Sequence, residues 1–165
     1  ADTSQPLADD WLERLLEIAC LPDVASVAPQ RLAPAGTLQY AGWIVANAQQ
    51  AVPLYAGSPP SHPPGPFISS VLTRNVLANP AASLMIERHK FEQLGGFDTQ
   101  TAGDSAIGLG MAAHRHGWQN IYLSSVKLHH HGNAAPADLP CALSASDPFC
   151  NPNISIHSFA PEPMA

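Results

Sequence analysis

Apolar residues first recur at helical spacing. Trp11, Leu12, Leu15, Leu16 and Ala19 predict an amphipathic helix over residues 9–20. Asp9 or Asp10 can cap its start. Leu21-Pro22 ends it, because the residue before a proline is pushed out of the α region. The period then shortens. Residues 23–32 alternate around Val24 and Val27 and predict a strand, residues 37–46 predict a second, and Pro34-Ala35-Gly36 supplies the turn of a hairpin. Residues 51–67 contain six prolines and predict a loop able to act as a lid.

Beyond the loop, residues 81–86 read as a short apolar strand and residues 87–94 as a short helix stopped by Gly95-Gly96. Residues 104–116 form a helix of small side chains, with Asp104 placed as N-cap and Gly117 just past the end. Residues 121–123 and 126–130 read as short strands, and residues 133–165 as an irregular, proline-bearing closing tail. No repeat is visible. This order of elements predicts an α/β or α+β chain, one domain over residues 1–165, without a complete doubly wound βαβ set.

Composition narrows the function classes. The 165 residues are 45% apolar, enough for a packed core, and only 12% charged. A net charge of -6 with no basic run excludes nucleic acid and an anionic membrane surface as partners. A diphosphate remains bindable if a divalent cation or helix N-termini supply the positive field. Cys20, Cys141 and Cys150 are odd in number and form no CxxC pair, so a reducing, cytoplasmic location is expected. No stretch reaches 18 apolar residues, so no transmembrane segment is expected. The chain opens on Ala1 with no signal peptide after it, and reads as a piece of something longer.

Several segments, in order, resemble the inverting GT-A glycosyltransferases called family 2, including many bacterial members. Phe91-Glu92-Gln93-Leu94-Gly95-Gly96-Phe97-Asp98 resembles the family's F-x-x-x-G-G-F-D segment, with Arg88 where a basic residue is expected. Asp2-Thr3, Pro6 and residues 10–16 resemble its metal-site segment and the helix that follows. Residues 31–42 resemble its hairpin. Gly117-Trp118 and His129-His130-His131 resemble the helix end and the strand-terminal His. Residues 147–155 resemble a D-P-[YF]-x-N-P-N-L-S tail.

The resemblance implies a partial GT-A-like mixed sheet with flanking helices, in an α/β fold of the nucleotide-diphospho-sugar transferase kind. It also implies that the half binding most of the nucleotide precedes Ala1. It implies transfer of a sugar, with inversion, from a nucleotide-sugar donor to a glycan or other hydroxyl acceptor. The fragment by itself is then expected to be inactive, and to self-associate through the face that the missing half would cover.

Such chemistry needs a base for the acceptor proton, a divalent metal (Mg²⁺ or Mn²⁺) on the leaving diphosphate, and a held sugar. The resemblance gives Asp104 as the base, Asp2 and His130 as ligands of metal and nucleotide, and Gly95 and Gly96 as acceptor-side backbone. A plain helix N-cap also explains Asp104. Counting back from Gly117 without gaps puts the family's acidic pair on Ser105-Ala106, and further acidic and basic positions on Gly108 and Ala112. These departures support a second reading, a degenerate, non-catalytic binding module. A third, a metal-binding protein unrelated to sugars, rests on the three consecutive His. Strand alternation sets His130 opposite His129 and His131, and His114 and His116 do not share a helix face. Tyr40, Trp43 and Phe67 are expected in the core rather than stacked on a sugar.

Overall fold

The computed structural model describes residues 4–47, 50–60, 70–97, 106–131 and 137–138. In chain order the elements are β1 (Ser4–Pro6), α1 (Trp11–Ala19), β2 (Val24–Leu32), β3 (Leu38–Tyr40), β4 (Trp43–Asn47), β5 (Gln50–Pro53) and β6 (Arg74–Val76). A 3-10 turn (Ala81–Ser83) then leads to β7 (Met85–Ile86), α2 (Arg88–Gln93), α3 (Ala106–Arg115), β8 (Gln119–His130) and β9 (Ala137–Asp138). Six strands form one mixed sheet, ordered β1-β8-β2-β3, with β6 also pairing β8 and β7 pairing β2; β4, β5 and β9 form a second, smaller sheet. The chain is thus α/β, with a mixed sheet and flanking helices.

The spine is β2 beside β8, paired in parallel. Alternation along both strands sends side chains to two separate cores. On one face Val27, Ile121, Leu123 and Val126 pack against Leu15 and Ala19 of α1, joined by Trp11, Ile18 and Met85. On the other, Ala28, Leu32 and Tyr122 meet Ile107 and Met111 of α3, with Tyr40, Trp43 and Leu77. Each large side chain buried this way contributes about 2 kcal/mol.

Pro29 interrupts the backbone donors of the central strand β2, a position proline tolerates only at a bulge. The register shifts there: Pro29 pairs with Leu123, while Gln30 pairs with Lys127. The residues passed over in β8 are 124–126, of which 124 and 125 lie between the two short strands the sequence suggested. Those two strands are one twelve-residue strand with a register break. The break is secured by Ser124 Oγ, which donates to Val71 O at 2.7 Å.

Three other expectations need correction. Residues 37–46 are not one strand: β3 pairs with β2, β4 belongs to the other sheet, and the chain turns at Gly42, with φ of +114°. A Cβ on Gly42 would lie 2.5 Å from Val76 Cγ1, so β6 packs too closely there for any side chain. The proline-rich stretch begins with a strand, β5, paired antiparallel with β4. Its residues 61–69 lie outside the described set. Residues 81–86 give a 3-10 turn after Pro80 and only a two-residue strand, β7, against Ser26 and Val27.

The α1 boundaries fit the sequence reading, but Asp10 caps without a side-chain hydrogen bond. Leu12 and Leu16 are 48% and 52% exposed. No helix among the described residues is long and apolar enough to cross a membrane.

Candidate functional site

His130 ends β8. Val126, Leu128 and His130 share a strand face by alternation. The imidazole is buried, 8% exposed, and its Nδ1 lies 2.9 Å from Ser4 Oγ. Backbone pairing causes this contact, because β1 runs antiparallel to β8 with Ser4 opposite His130, Gln5 opposite His129 and Pro6 opposite Leu128. The main chain of His130 is held as well. Gln39 Nε2 donates to its carbonyl at 2.9 Å, and Arg31 Nη2 reaches Gln39 Oε1 at 3.4 Å.

Ser4 also lines an open cavity of about 570 Å³ between α1 and the 82–86 segment. Trp11, Leu12 and Leu15 form one wall, Ala82 to Ile86 the other, and Leu128 the floor. Its lining mixes apolar side chains with Ser4 and Ser83.

The other expected site residues are placed as follows. Gly95 and Gly96 end α2 with φ of +86° and +74°. Gly96 N–H donates to Phe91 O and Gly95 N–H to Glu92 O, the paired bonds of a Schellman cap. Lys90, from the same helix, donates to Leu21 O at 3.0 Å and Val24 O at 2.8 Å. Val24 pairs with Gln119, so α2 is anchored at the end of β8 away from His130. The glycine pair and His130 are not brought to one corner. Asp2 and Asp104, together with Asp98, lie outside the described residues.

α3 begins at Ala106, which is buried, and its first turn carries no acidic residue. Its small side chains have a packing reason. A Cβ on Gly110 would sit 2.5 Å from Ala78 Cβ and 2.8 Å from Leu77 O. Asn120 Nδ2 ties this close approach together by donating to Gly110 O and Leu77 O. Gly117 closes α3 with φ of +79° and a second Schellman pair, Trp118 to Ala113 and Gly117 to His114.

The three consecutive His differ in exposure. His129 is half-buried, His130 buried and His131 exposed. Among the described residues no three His, Cys, Asp or Glu side chains cluster as a metal site. His130 offers one imidazole, a ligand type that many divalent cations accept.

Two cations, one buried and one half-buried, escaped the sequence reading. One is Lys90, whose ammonium also lies 5.9 Å from the Trp118 ring centroid. The other is Arg74, stacked 5.4 Å from the ring centroids of both Tyr55 and Tyr122 and donating to Ala41 O. Burial raises the Tyr122 hydroxyl to about 12, against the pull of the Gln30 hydrogen bond and the Arg74 charge. Burial also raises Tyr55, again opposed by Arg74. Tyr40 is buried as expected, its hydroxyl bonded to Ala78 O and Asn79 Oδ1, and Trp43 packs beside it. Only three-dimensional pairing reveals Lys90 and Arg74, since each lies in a polar stretch without periodic signal.

Against known proteins, the chain is 30% identical over 163 residues to an O-antigen biosynthesis protein, RfbC, of Myxococcus xanthus. That match covers 88% of this chain and 13% of the relative. It is 29% identical over 136 residues to the uncharacterized protein y4gI of Sinorhizobium fredii, covering 81% of this chain and 15% of that protein. The chain therefore spans a small part of the curated relatives it matches. No family model and no solved structure matches it.

Proposed function

We propose that these 165 residues are the acceptor-side part of an inverting, GT-A-type glycosyltransferase domain, most of the nucleotide being held by a part of the parent protein outside them. The relationship to an O-antigen biosynthesis protein supports glycosyltransferase-like chemistry, since building such a polysaccharide is glycosyl transfer. The observation that carries the reading is the β1–β8 register. It sets Ser4, two residues after Asp2 in sequence, against His130, beside an open cavity.

In this reading Asp104 takes the proton from the acceptor hydroxyl as that oxygen attacks the anomeric carbon. Asp2 and His130 hold Mg²⁺ or Mn²⁺ together with the nucleoside diphosphate. The cation, when bound, supplies positive charge opposite the leaving diphosphate. Gly95 and Gly96 let the backbone pass close to the acceptor.

The test is Asp104→Asn in the full-length parent, assayed for nucleoside diphosphate release from a nucleotide sugar with Mn²⁺ and acceptor. Asn caps a helix about as well as Asp, so stability should hold. An amide cannot serve as base, so turnover should fall roughly 10²-fold or more. Unchanged turnover removes Asp104 from the mechanism. Micromolar binding of a nucleotide sugar to the 165-residue chain alone would contradict placement of the nucleotide outside it. A non-catalytic binding module is the second reading. It is favoured by the absence of any acidic residue from the first turn of α3.

A further inference from the structure

Three ridges of side chains run along α1, each four residues in period. Trp11, Leu15 and Ala19 turn inward and pack against the sheet. Leu12 and Leu16, the next ridge round, stay exposed. Glu13 and Glu17, the ridge after that, are exposed too and form no ion pair among the described residues. The cation of the helix, Arg14, lies instead 3.9 Å from Asp10. The open cavity follows the seam between the first two ridges, with Trp11, Leu12 and Leu15 facing Leu84, Met85 and Ile86 across it. Leu12 is therefore both cavity wall and surface.

We propose that this flank of α1 and the adjoining cavity form the docking surface for a part of the parent protein outside these 165 residues, a part that enters the cavity with an apolar side chain and sets lysine or arginine against Glu13 and Glu17. The inference rests on the reading of the chain as one part of a larger transferase. An apolar stripe, an open cavity beside it and a row of carboxylates along its outer edge have the anatomy of half an interface, an apolar centre with a charged rim. The cavity, about 570 Å³, has room for the kind of side-chain anchor that interfaces bury near their centre. The matched stretches are 13% and 15% of the two relatives, so most of such a protein lies elsewhere and can supply the partner. Charge selects what that partner carries. Asp9, Asp10, Glu13 and Glu17 stand against Arg14 alone, so the rim is acidic and its complement is basic. A second copy of this chain would bring the same carboxylates and a net charge of -6 against them, which makes it the poorer occupant.

The experiment is thiol labelling of Leu16→Cys in dilute solution, followed site by site by mass spectrometry in the 165-residue chain and in the full-length parent. The introduced thiol should react roughly 10-fold or more slowly in the parent than in the chain, since labelling then waits for the interface to open. Adding Glu13→Lys and Glu17→Lys to both should erase most of that difference, because like charges now meet across the rim. The same reversal in the chain calibrates the direct effect of the lysines on the thiol.

Equal rates in parent and chain overturn the proposal. Protection that ignores the charge reversal overturns the basic partner. Protection of the parent that disappears on dilution gives the face to a second copy and overturns it as well. None of these readings depends on turnover. A protected Leu16→Cys in a parent that transfers no sugar would remove the transferase reading and leave the docking surface standing.

Discussion

Two cations on the same short helix illustrate how position sets the worth of a charge. Lys90 is 4% exposed, and its ammonium closes the carbonyls of Leu21 and Val24. Arg88, two residues earlier, pairs with Glu92 at 2.9 Å in nearly full solvent. Lys90→Met should therefore destabilise by about 3 kcal/mol, because two buried acceptors lose a charged donor. Arg88→Ala should stay within about 0.5 kcal/mol. Urea denaturation of both variants checks the contrast, and similar losses would refute it. Tyr122 adds a dependence on pH. The unfolded chain releases its proton near pH 10, the folded protein only near pH 12. Between these values the unfolded state holds fewer protons, so stability is intact below about pH 10 and falls by about 2–3 kcal/mol as pH climbs to 12. Tyr55, raised in the same direction, steepens the fall. Tyr122→Phe should lose stability at neutral pH, with its hydrogen bonds to Gln30 and Ser70, yet show a flatter alkaline decline. An unchanged alkaline slope would count against the burial of this hydroxyl.

Glycines separate turn chemistry from packing in the helices. Gly95 needs its left-handed φ but has open space around its Cα, so Gly95→Ala should cost about 1–2 kcal/mol through backbone strain alone. Gly110 is an ordinary helical residue, where alanine would normally help by about 1 kcal/mol. Here a Cβ runs into Ala78, so Gly110→Ala should destabilise by about 2 kcal/mol. Thermal melts of the two variants, with Gly110→Ala failing to destabilise, would show that α3 can shift off the 77–78 segment. The legible elements were those whose own side chains announce them. The apolar spacing of Trp11, Leu15 and Ala19, the alternation about Val24 and Val27, and the glycines after α2 and α3 each state a local preference. The elements missed are made by their partners. Ser4-Gln5-Pro6 and Arg74-Asn75-Val76 have no pattern of their own and become strands because β8 offers them its backbone. The break at Gly42 is likewise invisible without Val76 beside it. His130 could be singled out because a strand-end His stood in a recognisable order of segments; Ser4 could not, since its role comes from a register.

At the scale of the molecule, Leu12 and Leu16 of α1, and Leu7 shortly before it, leave apolar surface exposed. The chain should self-associate through it, and Leu12→Glu with Leu16→Glu should shift sedimentation toward monomer. A monomer at high concentration before any substitution would sink this expectation. The central pairing of β2 with β8 has a temporal consequence. Ser26 meets Asn120 across 94 residues of chain, and β1 waits still longer for the same partner. So distant a closure predicts slow folding, toward the milliseconds-to-seconds range of non-local topologies. During synthesis, at about 5–20 residues per second, α1 and β2 leave the ribosome on the order of ten seconds before β8 exists. Chains stopped at Gly117 should show no amide protection along Val24–Leu32, while chains reaching His131 should gain it together with protection of β1. In that interval the apolar face of α1 has no sheet to lie on, which makes the newborn chain, more than the finished one, a substrate for holding chaperones.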